Sequence, residues 1–212
     1  MHDDAIIYVV DDDAAVRDAI AKLVQSVGLS SMCYSSAEIF LEEFDNSSSS
    51  CLVLDVRMSG IGGLELLQIM NDRNYIIPTI IITGHGDIPM AVEALHNGAM
   101  NFIEKPFRNQ VLLDAITSAI RESKKLRDID GKNKELLSLY SSLTERELEV
   151  SACIAQGMAS KQIANELCLS PRTVETHRAN IMKKMNSTNA FELLTKLIYI
   201  TNLKRPVAVK LI

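Results

Sequence analysis

Long apolar runs are missing from this 212-residue sequence. No stretch approaches the ~20 consecutive apolar residues that a bilayer-spanning helix requires, so no membrane partner is expected. CxxC pairs are missing as well. Cys33, Cys51, Cys153 and Cys168 stand apart from one another, which argues against disulfide or metal roles and for reduced core residues of a cytoplasmic protein. Met1-His2-Asp3-Asp4 is acidic and leads into a strand, so a signal peptide is not expected. There are no internal repeats. What is present, 47% hydrophobic and 23% charged residues, is ordinary for a globular protein of one large or two small domains.

The formal charge of −5 conceals a division. Residues 1–122 hold 7 Lys+Arg against 18 Asp+Glu, whereas residues 123–212 hold 15 against 9. An acidic half of −11 is thus joined to a basic half of +6, which points to two tasks, one of them at a polyanion.

In the first half short apolar runs alternate with helix-period segments. Strands are expected near 6–10, 29–34, 51–55, 79–83 and 100–103. Helices are expected near 14–27, 36–44, 62–71, 87–97 and 108–127. Val16, Ala19, Ile20, Leu23, Val24 and Val27 share one face of the first helix, which Gly28 closes. The serines at 47–50 form a short polar loop. Five such units predict a doubly wound α/β sheet of parallel strands.

The pattern changes after about residue 121. The charged segment 121–134, interrupted at Gly131, is expected to extend the fifth helix and then act as a linker, over 123–142 in all. From Leu143 only short helices are expected. Thr144 and Glu147 make a capping box for the first, and Gly157 follows it. Ser160 can cap the second, which runs to about Leu167. Ser170-Pro171 opens a third, to about Lys184, and a fourth spans about 189–200. The chain therefore divides into domains at 1–122 and 143–212, the second small and all-α.

Polar residues end four of the five buried runs: Asp11 and Asp12, Asp55, Thr83, and Lys105 just after Ile103. In a parallel sheet these carboxyl ends line the ligand crevice, so three carboxylates, a hydroxyl and an ammonium would meet at one edge. Crowded carboxylates need a cation, and oxygen ligands of this kind suit Mg²⁺ or Mn²⁺. Lys105 and Thr83 could then hold an anionic group placed on a carboxylate. Such an arrangement describes a phosphoryl-accepting aspartate.

These residues, with the segments Thr83-Gly84-His85-Gly86 and Phe102-Ile103-Glu104-Lys105-Pro106-Phe107, resemble the receiver domain of two-component response regulators. The stretch ITGHGDIPMAV at 82–92 is similar to FixJ-type members of the FixJ/NarL family. The resemblance implies that Asp55 accepts a phosphoryl group from a sensor histidine kinase. It also implies that Asp12, Asp55, the Arg57 backbone carbonyl and, mainly through water, Asp11 hold the metal. Lys105, before a cis proline, and Thr83 would contact phosphate oxygens. Thr83 and Phe102 would form a switch that remodels the fourth helix and fifth strand into a dimerisation face. Ser59 stands where relatives usually have proline, which would leave this loop less rigid.

In the second half, Leu143-Thr-Glu-Arg-Glu147, Lys161-Gln-Ile-Ala164 and Thr173-Val-Glu-Thr-His177 resemble the LuxR-type helix-turn-helix domain. Val174, Ile181 and Met185 form the buried stripe of its second helix, with His177 packed between them. Arg172, Glu175, Thr176, Ala179 and Lys183 fall on the opposite stripe. Arg172, Glu175 and Thr176, flanked by Thr173 and Arg178, are expected to contact DNA at base edges, and Lys161, Lys183 and Lys184 at phosphates. The expected function is a phosphorylation-activated transcriptional regulator that dimerises, binds double-stranded promoter DNA and acts through RNA polymerase. It is not expected to be an enzyme. A hydrolase with an aspartyl-phosphate intermediate would need an acid/base partner close behind Asp55, where Val56 and Arg57 stand instead.

Overall fold

The computed structural model describes residues 5–45, 50–84 and 88–203. The chain forms two compact units, Met1–Ile129 and Asp130–Ile212. In the first, β1 (Ile6–Val10), β2 (Ser30–Tyr34), β3 (Ser50–Asp55), β4 (Thr79–Thr83) and β5 (Asn101–Glu104) pair in the order β2-β1-β3-β4-β5. All four pairings are parallel. The period-two alternation of a strand sends neighbouring side chains to opposite faces. Ile7, Val9, Cys51, Val53, Ile80 and Ile82 meet Ile20 and Val24 of α1 (Ala14–Ser26) on one face. Leu112, Ile116 and Ala119 from α5 (Asn109–Ser141) complete that layer.

Tyr8, Val10, Leu52, Leu54 and Ile81 point the other way. They pack against Phe40 of α2 (Ala37–Glu43), Leu66 and Met70 of α3 (Gly63–Asp72), and Ala94 of α4 (Ile88–His96). β3 and β4 are buried along their whole length because helices cover both faces, so their sequences show no polar alternation. β2 is an edge strand, and there Met32 and Cys33 are exposed. At the start of β3 the Ser50 N–H donates to the Ser123 hydroxyl of α5 at 3.1 Å, with both residues buried.

The second unit is helical: α6 (Glu145–Ala155), α7 (Ser160–Glu166), α8 (Pro171–Lys184) and α9 (Ala190–Leu203). Val150, Ile154, Ile163, Val174, Ile181, Met185, Leu193 and Leu197 form its core, against which Leu136, Leu137 and Tyr140 of α5 pack.

Several expectations are corrected. The expected interruption at Gly131 does not occur, and α5 runs through it to Ser141. Ser160 is the first residue of α7, not its cap; the Ala159 N–H donates to the side-chain Oε1 of Gln162 at 2.9 Å instead. Cys51 and Cys153 are buried, but Cys33 and Cys168 are exposed, the latter in the α7–α8 turn at φ 53°. Val27 and Ala19, expected on the apolar face of α1, are exposed beyond the edge of that layer. The terminal residues 1–4, most of the serine loop, and His85 and Gly86 lie outside the described residues.

Candidate functional site

Parallel pairing in register brings the ends of β1, β3 and β4 to one edge, beside the point where the strand order reverses between β1 and β3. Asp55 closes β3 opposite Ile82, so Thr83 lies one residue further along the neighbouring strand. Lys105 follows β5, its N–H donates to the Thr83 carbonyl at 2.7 Å, and the Lys105–Pro106 bond is cis. The Lys105 ammonium donates to Asp11 Oδ2 at 2.7 Å and to Asp55 Oδ1 at 2.8 Å. Asp11, Asp55 and Thr83 are all buried.

The remaining carboxylate oxygens are engaged by backbone. Asp55 Oδ2 accepts from the Arg57 N–H at 2.8 Å, and Asp11 Oδ1 from the Asp13 N–H at 2.9 Å. Asp13 caps α1 through the Ala15 N–H, and the Arg17 guanidinium donates to the Asp11 carbonyl at 2.6 Å. Burial pushes the Asp55 carboxyl above its ordinary value; Lys105 and the Arg57 N–H oppose the rise, and the charge of Asp11 adds to it. Burial alone would lower the Lys105 ammonium, but its hydrogen bonds to the two carboxylates hold it above its ordinary value.

Asp12 is exposed, and among the described residues its side chain has no hydrogen bond or ion pair. The donor set is all oxygen, with three carboxylates on adjacent strand ends, which fits a hard divalent cation chemically. With the lysine bridging two of them, no group of three acidic, His or Cys residues among the described ones is gathered to hold an ion. Phe102 is half-buried opposite Ile81 and packs on the α2–α3–α4 side of the sheet. The β3–α3 loop leaves no room at Gly63, where a Cβ would stand 2.1 Å from the Asp55 carbonyl oxygen.

In the second unit, Ser170 caps α8 by accepting from the Thr173 N–H at 3.0 Å, and Pro171 begins the helix. Val174, Ile181 and Met185 are fully buried, and His177 is half-buried. Arg172, Glu175, Thr176, Ala179 and Lys183 are exposed, as is Lys161 on α7. Arg178 and Thr173 are half-buried, and the Thr173 hydroxyl lies 2.8 Å from that of Ser170.

Two comparisons fit these two sites. The response regulator receiver domain family matches residues 7–117, and the family of bacterial regulatory proteins called luxR matches residues 141–197. The chain belongs to the response regulators.

Among response regulators it is 43% identical over 189 residues to Response regulator protein TodT of Pseudomonas putida, spanning 89% of this chain and 83% of that one. It is 41% identical over 187 residues to Transcriptional regulatory protein FixJ of Bradyrhizobium diazoefficiens, spanning 88% and 91%. The solved structure of response regulator StyR is similar at a TM-score of 0.78 and 39% identity, covering 92% of this chain and 99% of that one. This response regulator therefore joins a receiver domain to a LuxR-type DNA-binding domain. Among its described residues no helix is long and apolar enough to cross a membrane.

Three residues of this response regulator make contacts that the sequence did not announce. Lys184, expected at a phosphate, donates to Glu147 Oε2 at 2.6 Å and to the Ser142 carbonyl at 3.2 Å. Glu147 itself was visible as half of the capping box and as part of a family motif, but not as the partner of Lys184. Glu38 on α2 accepts from the Ile61 N–H of the β3–α3 loop at 3.0 Å, and no sequence pattern marked it.

Proposed function

We propose that Asp55 accepts a phosphoryl group from a sensor histidine kinase and that the phosphorylated protein dimerises and regulates promoters. The observation that carries this reading is the buried Asp11–Lys105–Asp55 bridge at the sheet edge. An Asp55 carboxylate oxygen attacks phosphorus, the phosphorus–nitrogen bond of the kinase phosphohistidine breaks, and an acyl phosphate forms. Lys105 then exchanges its bond to the carboxylate for one to a phosphate oxygen, and Thr83 donates its hydroxyl to another. Asp11, Asp12, Asp55 and the Arg57 carbonyl would hold Mg²⁺ or Mn²⁺. When bound, that ion neutralises the charge accumulating on the transferred group. The chemistry modifies the protein itself, so the chain is a switch and not a turnover enzyme.

Thr83 and Phe102 respond to the new anion as a biased two-state pair. Exposed Ile88, Val92 and Leu95 of α4, with Met100, support an apolar face for homodimerisation. In the basic half, Arg172, Glu175 and Thr176, flanked by Thr173 and Arg178, read bases, while Lys161 and Lys183 contact phosphates. Paired domains gain affinity through effective concentration, and the DNA-bound dimer engages RNA polymerase. The receiver comprises residues 1–122, the linker 123–142 and the DNA-binding domain 143–212, all acting in the cytoplasm.

Acetyl phosphate is expected to label the wild-type chain, to convert it to dimers in sedimentation and to tighten its promoter complex in gel shifts. Asp55→Asn removes all three responses. Unimpaired dimerisation of that variant on acetyl phosphate treatment would refute the reading.

A further inference from the structure

The loop between β3 and α3 carries the Arg57 N–H that donates to Asp55 Oδ2 at 2.8 Å, yet little fixes its outer limb. Its base is held by the Val56 N–H on the Ile82 carbonyl at 3.2 Å and the Gly63 N–H on the Val56 carbonyl at 2.9 Å. Between these lie Arg57, Met58, Ser59, Gly60, Ile61 and Gly62, with two glycines and no proline to stiffen the backbone. Among the described residues, apart from Asp55 at the Arg57 N–H, the one side chain from outside the loop that hydrogen-bonds this stretch is Glu38, through Oε1 and the Ile61 N–H at 3.0 Å. The fit is close. Gly60 has φ +79°, and a Cβ there would lie 2.6 Å from the same oxygen. The Glu38 carboxylate is fixed in turn: the Ile61 N–H, its own backbone N–H and the Ser36 hydroxyl hold it below the usual carboxylate range.

We propose that Glu38 is a positioning residue for the phosphoacceptor, pinning the β3–α3 loop from α2 so that Arg57 and Asp55 keep the geometry that receives the divalent cation. The proposal rests on the assignment of Asp55 above. Without the pin, the Arg57 backbone samples positions in which neither its N–H orders Asp55 nor its carbonyl faces the cation.

The test compares full-length wild type with Glu38→Ala and Glu38→Gln, the latter retaining an acceptor for the Ile61 N–H. Amide exchange at Ile61, Mg²⁺ titration followed by backbone amide shifts, and acetyl-phosphate labelling across Mg²⁺ concentrations are measured on each. Loss of one such hydrogen bond is expected to weaken Mg²⁺ binding about 5-fold and to speed Ile61 exchange in Glu38→Ala, with Glu38→Gln within about 2-fold of wild type. Faster Ile61 exchange with unchanged Mg²⁺ affinity would overturn the proposal, as would equal losses in both variants. Failure of the wild type to label at any Mg²⁺ concentration would instead overturn the assignment of Asp55.

Discussion

At Asp55 two demands conflict. As the proposed phosphoacceptor its carboxylate must be ionised to attack phosphorus, but the pocket is buried and a second carboxylate, Asp11, shares its lysine. A carboxyl raised by burial binds its proton more tightly in the folded chain than in the unfolded one. Its ionisation therefore costs the folded state stability as pH rises through the window above the ordinary carboxyl value. A divalent cation held at this edge would relieve that cost and compete with the same proton. Mg²⁺ is accordingly expected to raise the melting temperature near pH 7.5 and to do so less near pH 5, because acid favours the proton that competes with the ion. Asp55→Asn should abolish the Mg²⁺ effect at both values. An increment independent of pH would show that the ion binds elsewhere. The strand-end residues were legible in the sequence because each closes an apolar run, and parallel pairing carries such ends to one edge. That Asp11, and not Asp12, is the buried partner of Lys105 was not legible, because adjacent residues differ only in which way the chain turns after Val10.

The helix α8 shows the same contrast at the scale of an element. Its buried stripe and exposed stripe follow from 3.6-residue periodicity, and its start from Ser170-Pro171. Periodicity cannot distinguish two adjacent lysines at its end. Lys183 is exposed, whereas Lys184 reaches the buried Glu147 and the Ser142 carbonyl. A salt series should separate them. Lys183→Ala is expected to weaken DNA binding across sequences and reduce the salt slope by about 1. Lys184→Ala should leave that slope unchanged but lower unfolding stability by about 1–2 kcal/mol, because it deprives a buried carboxylate of its partner. Anisotropy at several salt concentrations and urea unfolding make the comparison; a slope change in the Lys184 variant would restore that residue to the DNA surface. At the same end of this helix, Lys196 of α9 donates to the Met185 and Asn186 carbonyls at 3.0 and 2.8 Å. Lys196 and Thr188 together hold the Glu192 carboxyl at about 2. The Lys184–Glu147 tie joins residues 37 apart in sequence, which is why no local pattern announces it, whereas Glu192 meets Thr188 and Lys196 at the four-residue helical spacing.

For the whole molecule, the acidic and basic halves foretold two units and their order, since charge segregation reflects separate partners. The extent of α5 was harder to foresee: glycine lowers helix propensity by only about 1 kcal/mol, and nothing else opposes the helix at Gly131. The Ser50–Ser123 hydrogen bond has a practical consequence for dissecting the protein. A receiver fragment cut after Glu122 loses the hydroxyl that serves the Ser50 amide, leaving a donor stranded under the sheet at a cost of about 1–3 kcal/mol. A fragment cut after Ile129 keeps it. Thermal melts of the two should differ by several degrees in favour of the longer piece, and equal melting would mean that water serves the amide as well as serine does. Seven additional residues, beginning with Ser123 at the opposite end of β3 from Asp55, thus decide how firmly the excised receiver holds the strand that carries the proposed phosphoacceptor.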